Sequence, residues 1–280
     1  MTIQTILKLG RVSNLPTVWT NALAGLVLAG QASVQVFLVV ALALSLFYTG
    51  GMWLNDAFDA EIDARERANR PIPMGEIGVN TVFSVGFALL FAGILVSFTL
   101  GGTAGLMGVG LAIAVVVYDW LHKRTVLSPV IMGITRFFCY LLAAAAVGTI
   151  AGPVVLGALG LLAYIVGLTY AAKQEAYDRL DRAWPLAVLA LPLIYALSQS
   201  INAPLALAIW GGLLVVVLLA LRLLLRRNKG DVPKAVVTMI AGISLYDATL
   251  IAGAGQATLA LLAVAGFALT LLLQRVVSGT

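Results

Sequence analysis

The sequence predicts an all-α fold, a transmembrane bundle of nine to ten helices around a central cavity. Apolar residues make up 61% of the 280 residues and charged residues only 10%, whereas a soluble domain carries roughly 25% charged residues. In addition, continuous apolar runs follow one another along the whole chain, and lipid admits only helices or closed barrels as spanning structures. We therefore interpret residues 1–280 as one membrane-embedded domain.

Ten segments are candidates for the spanning helices, each of which needs about 20 apolar residues. Lys8 and Arg11 precede the first segment, and residues 1–14 show no cleavable signal pattern, so we expect this run to be retained as a helix. The candidate segments are 16–30, 33–54, 79–100, 103–121, 129–148, 153–172, 183–199, 204–225, 235–253 and 257–274.

Basic residues collect on one side of the predicted bundle. Of the 17 Lys and Arg residues, all but Arg136 lie in the N-terminal segment, the even-numbered connections, the helix ends that adjoin them or the C-terminal tail. The positive-inside rule makes this side cytoplasmic, and we expect a multi-pass protein of a bacterial inner membrane. Because the basic residues lie at helix ends, where they orient the chain in the lipid bilayer, the net charge of +5 predicts no nucleic-acid partner.

Acidic residues are densest in the motif NDAFDAEID, which begins at Asn55 on the same side. Asn55, Asp59 and Asp63 recur every four residues and therefore fall on one helical face. Such a column of oxygen-bearing side chains suits Mg²⁺, which also takes phosphate oxygens as ligands. Arg67 and Arg70 in the following loop have the geometry to clamp a phosphate. The alternative is a solvated acidic helix end that nearby arginines neutralise.

The pattern NDxxDxxxD followed by NRPxPxG resembles the UbiA superfamily of intramembrane prenyltransferases. The resemblance extends upstream to the segment RVSNLPT at residues 11–17 and covers most of the chain. It implies transfer of a prenyl group from a prenyl diphosphate to an acceptor, with Mg²⁺ bridging two acidic motifs and the diphosphate. It also places Asp56 in the catalytic site with the column residues. The residues implied at the diphosphate are Arg11, Asn14, Arg67, Arg70, Lys123, Arg124 and Lys173.

The second acidic motif of the family usually reads YxxxDxxxD. This sequence matches it at Tyr170 and Asp178 but has Gln174 where the first aspartate is expected, with Asp181 on the same face. Gln174, Asp178 and Asp181 are the candidate metal ligands here, and the amide brings no negative charge. The alternative is a polar helix end that has lost its catalytic role.

Three further polar residues carry separate hypotheses. Charged groups within spanning helices face a partner or a wet cavity, and Arg136 lies at a depth compatible with the cavity. Asp247 lies deeper, where it would orient an acceptor or act as a base; a buried, hydrogen-bonded structural acid is the alternative. We interpret His122, the only histidine, as an interfacial bystander rather than a general base. The neighbouring Lys123 and Arg124 would by themselves also serve as a topology signal.

The preferred function is thus Mg²⁺-dependent transfer of a prenyl group to an unidentified acceptor within the membrane. The competing class is a non-catalytic membrane component with the same fold, a lipid-binding or metabolite-export subunit. Gln174 favours this alternative, and the intact first motif opposes it. The tenth segment, together with the stretch YAAKQE from Tyr170, looks like the branch encoded in bacterial ebo gene clusters.

Overall fold

The apolar runs fold into twelve α-helices in the computed structural model, which describes residues 2–175 and 184–277, without the side chains of residues 173–175, 184 and 185. Short 3-10 segments, Val12–Asn14 and Trp184–Leu189, precede α2 and α9. The helices are α1 (Ile3–Leu9), α2 (Leu15–Leu28), α3 (Val34–Phe58), α4 (Ala60–Glu66), α5 (Val79–Thr99), α6 (Gly102–Leu121), α7 (Ser128–Ala145), α8 (Gly152–Glu175), α9 (Ala190–Ser200), α10 (Pro204–Arg226), α11 (Asp231–Gly253) and α12 (Ala257–Leu273).

Seven helices in the described part of the chain are long and apolar enough to cross a membrane: α3, α5, α6, α7, α8, α10 and α11. Large apolar side chains such as Phe91, Leu106 and Leu218 are more than half exposed on their outer faces, as expected of surfaces that contact lipid. The protein is therefore an integral, multi-pass membrane protein.

The predicted count of nine to ten spanning helices is not confirmed. The other three predicted segments form α2, α9 and α12, which have 14, 11 and 17 residues. At 1.5 Å per residue, α2 extends roughly 21 Å, less than the roughly 30 Å of a hydrocarbon core. The short helices α1 and α4, which flank the charged end, were not predicted because neither carries a long apolar run.

Helices α2 and α7 join two apolar cores. One core packs residues of α2 and α7 against α8 to α12, and the other packs them against α3, α5 and α6. Gly25 permits this close approach, since a Cβ there would lie 2.7 Å from the Cβ of Ala143 and 2.9 Å from the carbonyl oxygen of Tyr140. Small residues at such crossings are the common way for helices to pack in lipid.

The charged segments meet at one end of the bundle. Arg11 of the N-terminal segment contacts Asp56 at the end of α3, and Asp59 contacts Lys123, just after α6. Gln274 follows α12 and donates a hydrogen bond of 2.7 Å to Asn14. Two segments that are distant in sequence, the one that carries Arg11 and the one after α6, therefore contact the acidic motif, and Gln274 contacts the first of them.

Candidate functional site

The acidic motif occupies the junction between α3 and α4. Asn55 and Asp56 lie in the last turn of α3, Asp59 caps that helix, and Asp63 lies in α4. Helical hydrogen bonds continue across the junction, from Asp59 N to Asn55 O at 3.0 Å and from Asp63 N to Asp59 O at 2.8 Å. All four residues are at most 7% exposed, so the alternative of a solvated acidic helix end is wrong.

The predicted column of Asn55, Asp59 and Asp63 does not converge on one point. Asn55 and Asp59 contact residues of α6 and the loop after it, whereas Asp63 contacts the loop after α4. Within the described residues, no group of three or more His, Cys, Asp and Glu side chains is placed to hold a metal ion. The three side chains point apart because each of them is bonded to a different partner on another element.

Two arginines converge on Asp56. One amino nitrogen of Arg11 and one of Arg70 each lie 3.0 Å from the same carboxylate oxygen, and the Arg70 nitrogen lies 2.7 Å from Asp63 Oδ2. Burial opposes the charge of Arg11, but the adjacent carboxylate of Asp56 outweighs burial and raises the pKa of the guanidinium. Two of the predicted diphosphate ligands therefore lie at the acidic motif, where they neutralise carboxylates.

Asn55 connects Arg11 to an acid that the sequence analysis did not select, Asp119. The guanidinium of Arg11 donates to Asn55 Oδ1 at 3.3 Å, and Asn55 Nδ2 donates to Asp119 Oδ1 at 3.1 Å. Asp119 lies in the last turn of α6 and is 3% exposed. One signal for it was present, because an acid within the last turn of a spanning segment is costly without a partner.

His122 and Lys123 bind Asp59. His122 Nε2 lies 3.2 Å and Lys123 Nζ 3.3 Å from Asp59 Oδ2. Burial raises the pKa of Asp59, but the hydrogen bond from His122 and the charges beside it prevail, so that the pKa lies below the ordinary value of an aspartate. The interpretation of His122 as a bystander is therefore wrong: its ring spans from Asp59 to the carbonyl oxygen of Asp119, 3.0 Å from Nδ1.

These contacts define a polar group that we call the end cluster. Four carboxylates in it face three side chains with permanent positive charge. The end cluster consists of Arg11, Asn55, Asp56, Asp59, Asp63, Arg70, Asp119, His122 and Lys123.

A cavity of about 50 Å³ borders the end cluster at Asp119. Residues of α2, α3, α6 and α7 line it, and most of its wall is apolar. Tyr48, Tyr118 and Arg136 add polar groups to the wall, so the predicted position of Arg136 at a cavity is confirmed. A larger cleft of about 630 Å³ lies between α2, the start of α3 and α12, and none of the described residues that line it is titratable.

Behind Arg136 lies a second polar group, the inner cluster of Asn21, Arg136, Tyr140 and Asp247. Arg136 donates to Asn21 Oδ1 at 2.7 Å, and Asn21 Nδ2 donates to Asp247 Oδ2 at 2.7 Å. The hydroxyl of Tyr140 donates to the other oxygen of Asp247 at 2.6 Å. Asp247 is fully buried and does not line the cavity. These contacts oppose its predicted catalytic role and favour the alternative of a hydrogen-bonded structural acid.

The other predicted site residues lie apart from the end cluster or outside the described residues. Arg67 is exposed, and Arg124 is exposed with its guanidinium 5.8 Å from the ring centre of Trp120. Asn14 is buried beside Gln274, and Tyr170 packs against the core of α8 to α12. The side chains of Lys173 and Gln174, and all of Asp178 and Asp181, lie outside the described residues.

Two oxygen atoms of the end cluster fit a bound cation. Asp63 Oδ1 and Asp119 Oδ2 are buried and have no hydrogen-bond partner among the described residues. An unsatisfied buried polar atom costs about 1–3 kcal/mol, and carboxylate oxygens are the ligands that hard divalent cations prefer. These two oxygen atoms therefore suit Mg²⁺ chemically, although within the described residues they do not form one preassembled group with Asp59.

Fold and site together define a class of protein: a multi-pass helical membrane protein with a buried, acid-rich polar site beside a largely apolar cavity. Comparison with known proteins identifies it further. The profile of the UbiA prenyltransferase family matches residues 16–235, so the chain belongs to that family, as the first motif predicted.

Curated relatives match part of the chain. The digeranylgeranylglyceryl phosphate synthase of Saccharolobus solfataricus is 31% identical over 127 residues, which cover 45% of each chain. The protoheme IX farnesyltransferase of Macrococcus caseolyticus is 28% identical over 138 residues, covering 47% of this chain and 45% of the relative. The matched region thus spans about half the length of these relatives.

Solved structures match nearly the whole fold. A UbiA homologue from Aeropyrum pernix K1 superposes with a TM-score of 0.68 at 16% identity, over 86% of this chain and 96% of that one. A UbiA homologue from Archaeoglobus fulgidus bound to GPP and Mg²⁺ has a TM-score of 0.56 at 14% identity, over 95% and 99% of the two chains. At these identities the likeness establishes the fold.

Proposed function

We propose that this protein transfers a prenyl group from a prenyl diphosphate to an acceptor within the membrane and that the reaction depends on Mg²⁺. The observation that carries the proposal is the end cluster, a buried group of carboxylates and cations beside a largely apolar cavity. One substrate with a charged diphosphate and an apolar tail matches both parts. The family and the Mg²⁺- and GPP-bound homologue support this assignment.

The carboxylates of the end cluster would hold Mg²⁺, together with the predicted second set at Gln174, Asp178 and Asp181. Mg²⁺, when bound, neutralises negative charge on a departing diphosphate. Asp59 is suited to this role because its lowered pKa keeps it ionised at neutral pH. Asp63 supplies a buried oxygen that has no other described partner.

Arg11, Arg70 and Lys123 would bind the diphosphate. In the structure each of them is paired with a carboxylate of the motif, at 3.0, 2.7 and 3.3 Å respectively. Once those carboxylates are neutralised by a cation, the same side chains are free to donate to phosphate oxygens. The pairs hold the basic side chains at the site before substrate enters.

The apolar wall of the cavity would hold the isoprenoid and exclude water from its reactive carbon. The bond between C1 of the prenyl group and the diphosphate oxygen breaks, the diphosphate departs with the electron pair, and the acceptor forms its new bond to C1. The acceptor loses its proton in the process.

Calorimetry of inorganic pyrophosphate binding with Mg²⁺ tests the proposed site directly. Asp59→Ala should weaken binding at least tenfold, because it removes a buried carboxylate of the end cluster. Glu61→Ala is the matched control, since Glu61 is exposed two residues further along the chain. Equal effects of the two substitutions would show that the end cluster is not the diphosphate site.

Activity is tested by incubating the purified protein with labelled farnesyl or geranylgeranyl diphosphate and Mg²⁺. Release or transfer of the label that is lost in Asp59→Ala supports a transferase. Binding without any turnover, with membrane extract supplied as the source of acceptors, would favour the non-catalytic component.

Gln174 provides the specific argument for that alternative, because it places an amide where the family has a carboxylate. In a working transferase, Gln174→Asp should tighten Mg²⁺-dependent pyrophosphate binding, since a carboxylate is the better ligand for a hard cation. Asp178→Ala should weaken it. Mg²⁺ titrations that neither substitution changes would favour the non-catalytic component.

We also propose that all 280 residues form one membrane-embedded domain and that the end cluster faces the cytoplasm of a bacterium, across its inner membrane. The basic residues at this end support the orientation through the positive-inside rule. Reporter fusions at Gly102 and at Lys123, which lie at opposite ends of α6, should report opposite sides. Detection of the Lys123 fusion outside the cell would reverse the orientation.

A further inference from the structure

The amide of Asn55 is held by protein groups at both ends. Its oxygen accepts from Arg11 at 3.3 Å, and its nitrogen donates to Asp119 Oδ1 at 3.1 Å. A divalent cation on the same oxygen would lie beside the guanidinium, where like charges repel. The predicted role of Asn55 as a metal ligand is therefore unfavourable in this arrangement.

Asp119 offers an oxygen atom to which a cation can bind, whereas Asn55 does not. Its Oδ2 is buried and has no hydrogen-bond partner among the described residues, although Asp119 lines the cavity. The bond from Asn55 fixes Oδ1 and thereby fixes the direction of Oδ2. A carboxylate oxygen held in this way requires a cation or a donor from the cavity.

His122 connects the backbone of Asp119 to the carboxylate of Asp59. Its Nδ1 lies 3.0 Å from the backbone oxygen of Asp119, and its Nε2 lies 3.2 Å from Asp59 Oδ2. The end of α6 is therefore held against the first acidic motif, which brings Asp119 to the side of the motif that contains Asp59. Mg²⁺ is commonly bound by one or two carboxylates together with phosphate oxygens.

We propose that Asp119 is a metal ligand of the diphosphate site and that Asn55 is its positioning residue. This inference rests on the proposed function and changes its ligand set, since Asp119 belongs to neither acidic motif. The carboxylate comes from α6 and meets the first motif directly, through its bond with Asn55 at the end of α3. A metal bound there would connect α6 to the first motif.

The test measures Mn²⁺ binding by electron paramagnetic resonance, in the presence of inorganic pyrophosphate, because Mn²⁺ shares the oxygen ligands of Mg²⁺. Asp119→Asn keeps the shape of the side chain and an oxygen that accepts from Asn55, but it removes the charge. We expect Mn²⁺ affinity to fall at least tenfold in Asp119→Asn and in Asp59→Asn. Asp231→Asn is the control, since Asp231 is a buried acid that pairs with Arg226 at another helix end.

Two further variants separate binding from folding. Asp119→Glu retains the charge and should recover part of the affinity, whereas Asn55→Ala leaves the carboxylate but frees its orientation and should weaken Mn²⁺ binding about threefold or more. Elution volume and thermal unfolding are recorded for every variant. Unchanged Mn²⁺ affinity in Asn55→Ala would overturn the positioning role.

The outcomes distinguish the inference from the function on which it rests. If the wild-type protein binds no Mn²⁺ with pyrophosphate, the proposed function fails. If it does, and if Asp59→Asn weakens binding while Asp119→Asn does not, the function stands and the role of Asp119 is overturned. A loss in Asp119→Asn that Asp119→Glu partly restores supports the proposal.

Discussion

This protein contains two buried series of hydrogen-bonded side chains, each of which runs from Arg to Asn to Asp. They differ in the partners of the final Asp. In the inner cluster Arg136 donates to Asn21, which donates to Asp247, and Tyr140 closes the chain on the second carboxylate oxygen. In the end cluster, Arg11 donates to Asn55, which donates to Asp119. The second carboxylate oxygen of Asp119 has no partner among the described residues.

The difference indicates a structural network in the inner cluster and supports the proposed binding site in the end cluster. A buried polar chain that is fully bonded holds helices together, here α2, α7 and α11. A chain that ends at a buried, unpaired oxygen is costly without a partner, and a ligand can be that partner. Substitutions in the inner cluster should therefore lower mainly the stability of the protein, whereas substitutions in the end cluster should lower mainly its affinity for ligand.

The largest effect is expected for Asp247→Ala. Removing the acid leaves the amide of Asn21 and the hydroxyl of Tyr140 buried without their acceptor. It also removes the negative charge closest to Arg136 in the inner cluster, and an uncompensated buried charge costs about 3–5 kcal/mol. Unfolding in detergent, followed by circular dichroism, measures the loss. A change under 1 kcal/mol, a margin set by ordinary surface substitutions, would mean that the inner cluster does not hold the helices together.

Tyr140→Phe removes one hydrogen bond from the inner cluster without removing a charge. The hydrogen bond of 2.6 Å to Asp247 disappears, so we expect a stability loss of roughly 1.5–3 kcal/mol, the range for bonds to charged groups. Pyrophosphate affinity should stay at the wild-type value, because Tyr140 does not line the cavity. A binding defect at unchanged stability would contradict the division between the clusters.

Arg70→Gln tests the end cluster from its basic side. The substitution removes the cation shared by Asp56 and Asp63, and we expect pyrophosphate affinity to fall about tenfold, equivalent to roughly 1.4 kcal/mol. Arg124→Gln is the control, because Arg124 is exposed and stacks on Trp120 outside the cluster. Equal losses would indicate general attraction of an anion to a basic surface.

The smallest effect is expected for the stability of Asp119→Asn. Because one carboxylate oxygen lacks a partner before a ligand binds, removing the charge should change the free energy of unfolding by no more than about 0.5 kcal/mol, or raise it slightly. The measurement is the same detergent unfolding, without metal. A loss as large as that of Tyr140→Phe would show that Asp119 is already satisfied in the free protein.

The sequence predicted the fold more completely than the site. Helices depend on local apolar runs, so their positions and the helical class followed from the sequence. The helix lengths were predicted less accurately. Helix α2 ends at Leu28 and α12 at Leu273, and both helices are shorter than a standard membrane span. The family assignment was carried by the first motif and is confirmed by the match over residues 16–235.

The site depended on contacts that no local pattern contains. The four-residue spacing of Asn55, Asp59 and Asp63 was correct for the backbone, but their partners come from the N-terminal segment, α6 and the loop after α4. Asp119 is 64 positions from Asn55, and only the packing of α6 against α3 reveals the pair. For Asp247 the sequence left two roles open, because a charged residue within a spanning helix does not by itself distinguish an acid that binds a ligand from one that three helices share.

The bond between Gln274 and Asn14 has a consequence for the order in which the protein assembles. Gln274 is 260 residues downstream of its partner and leaves the ribosome after every residue of the end cluster. The segment that carries Arg11 and Asn14 therefore lacks this hydrogen bond until α12 has been inserted into the membrane. Insertion of α12 is thus needed before Asn14 and its neighbour Arg11 reach their final arrangement.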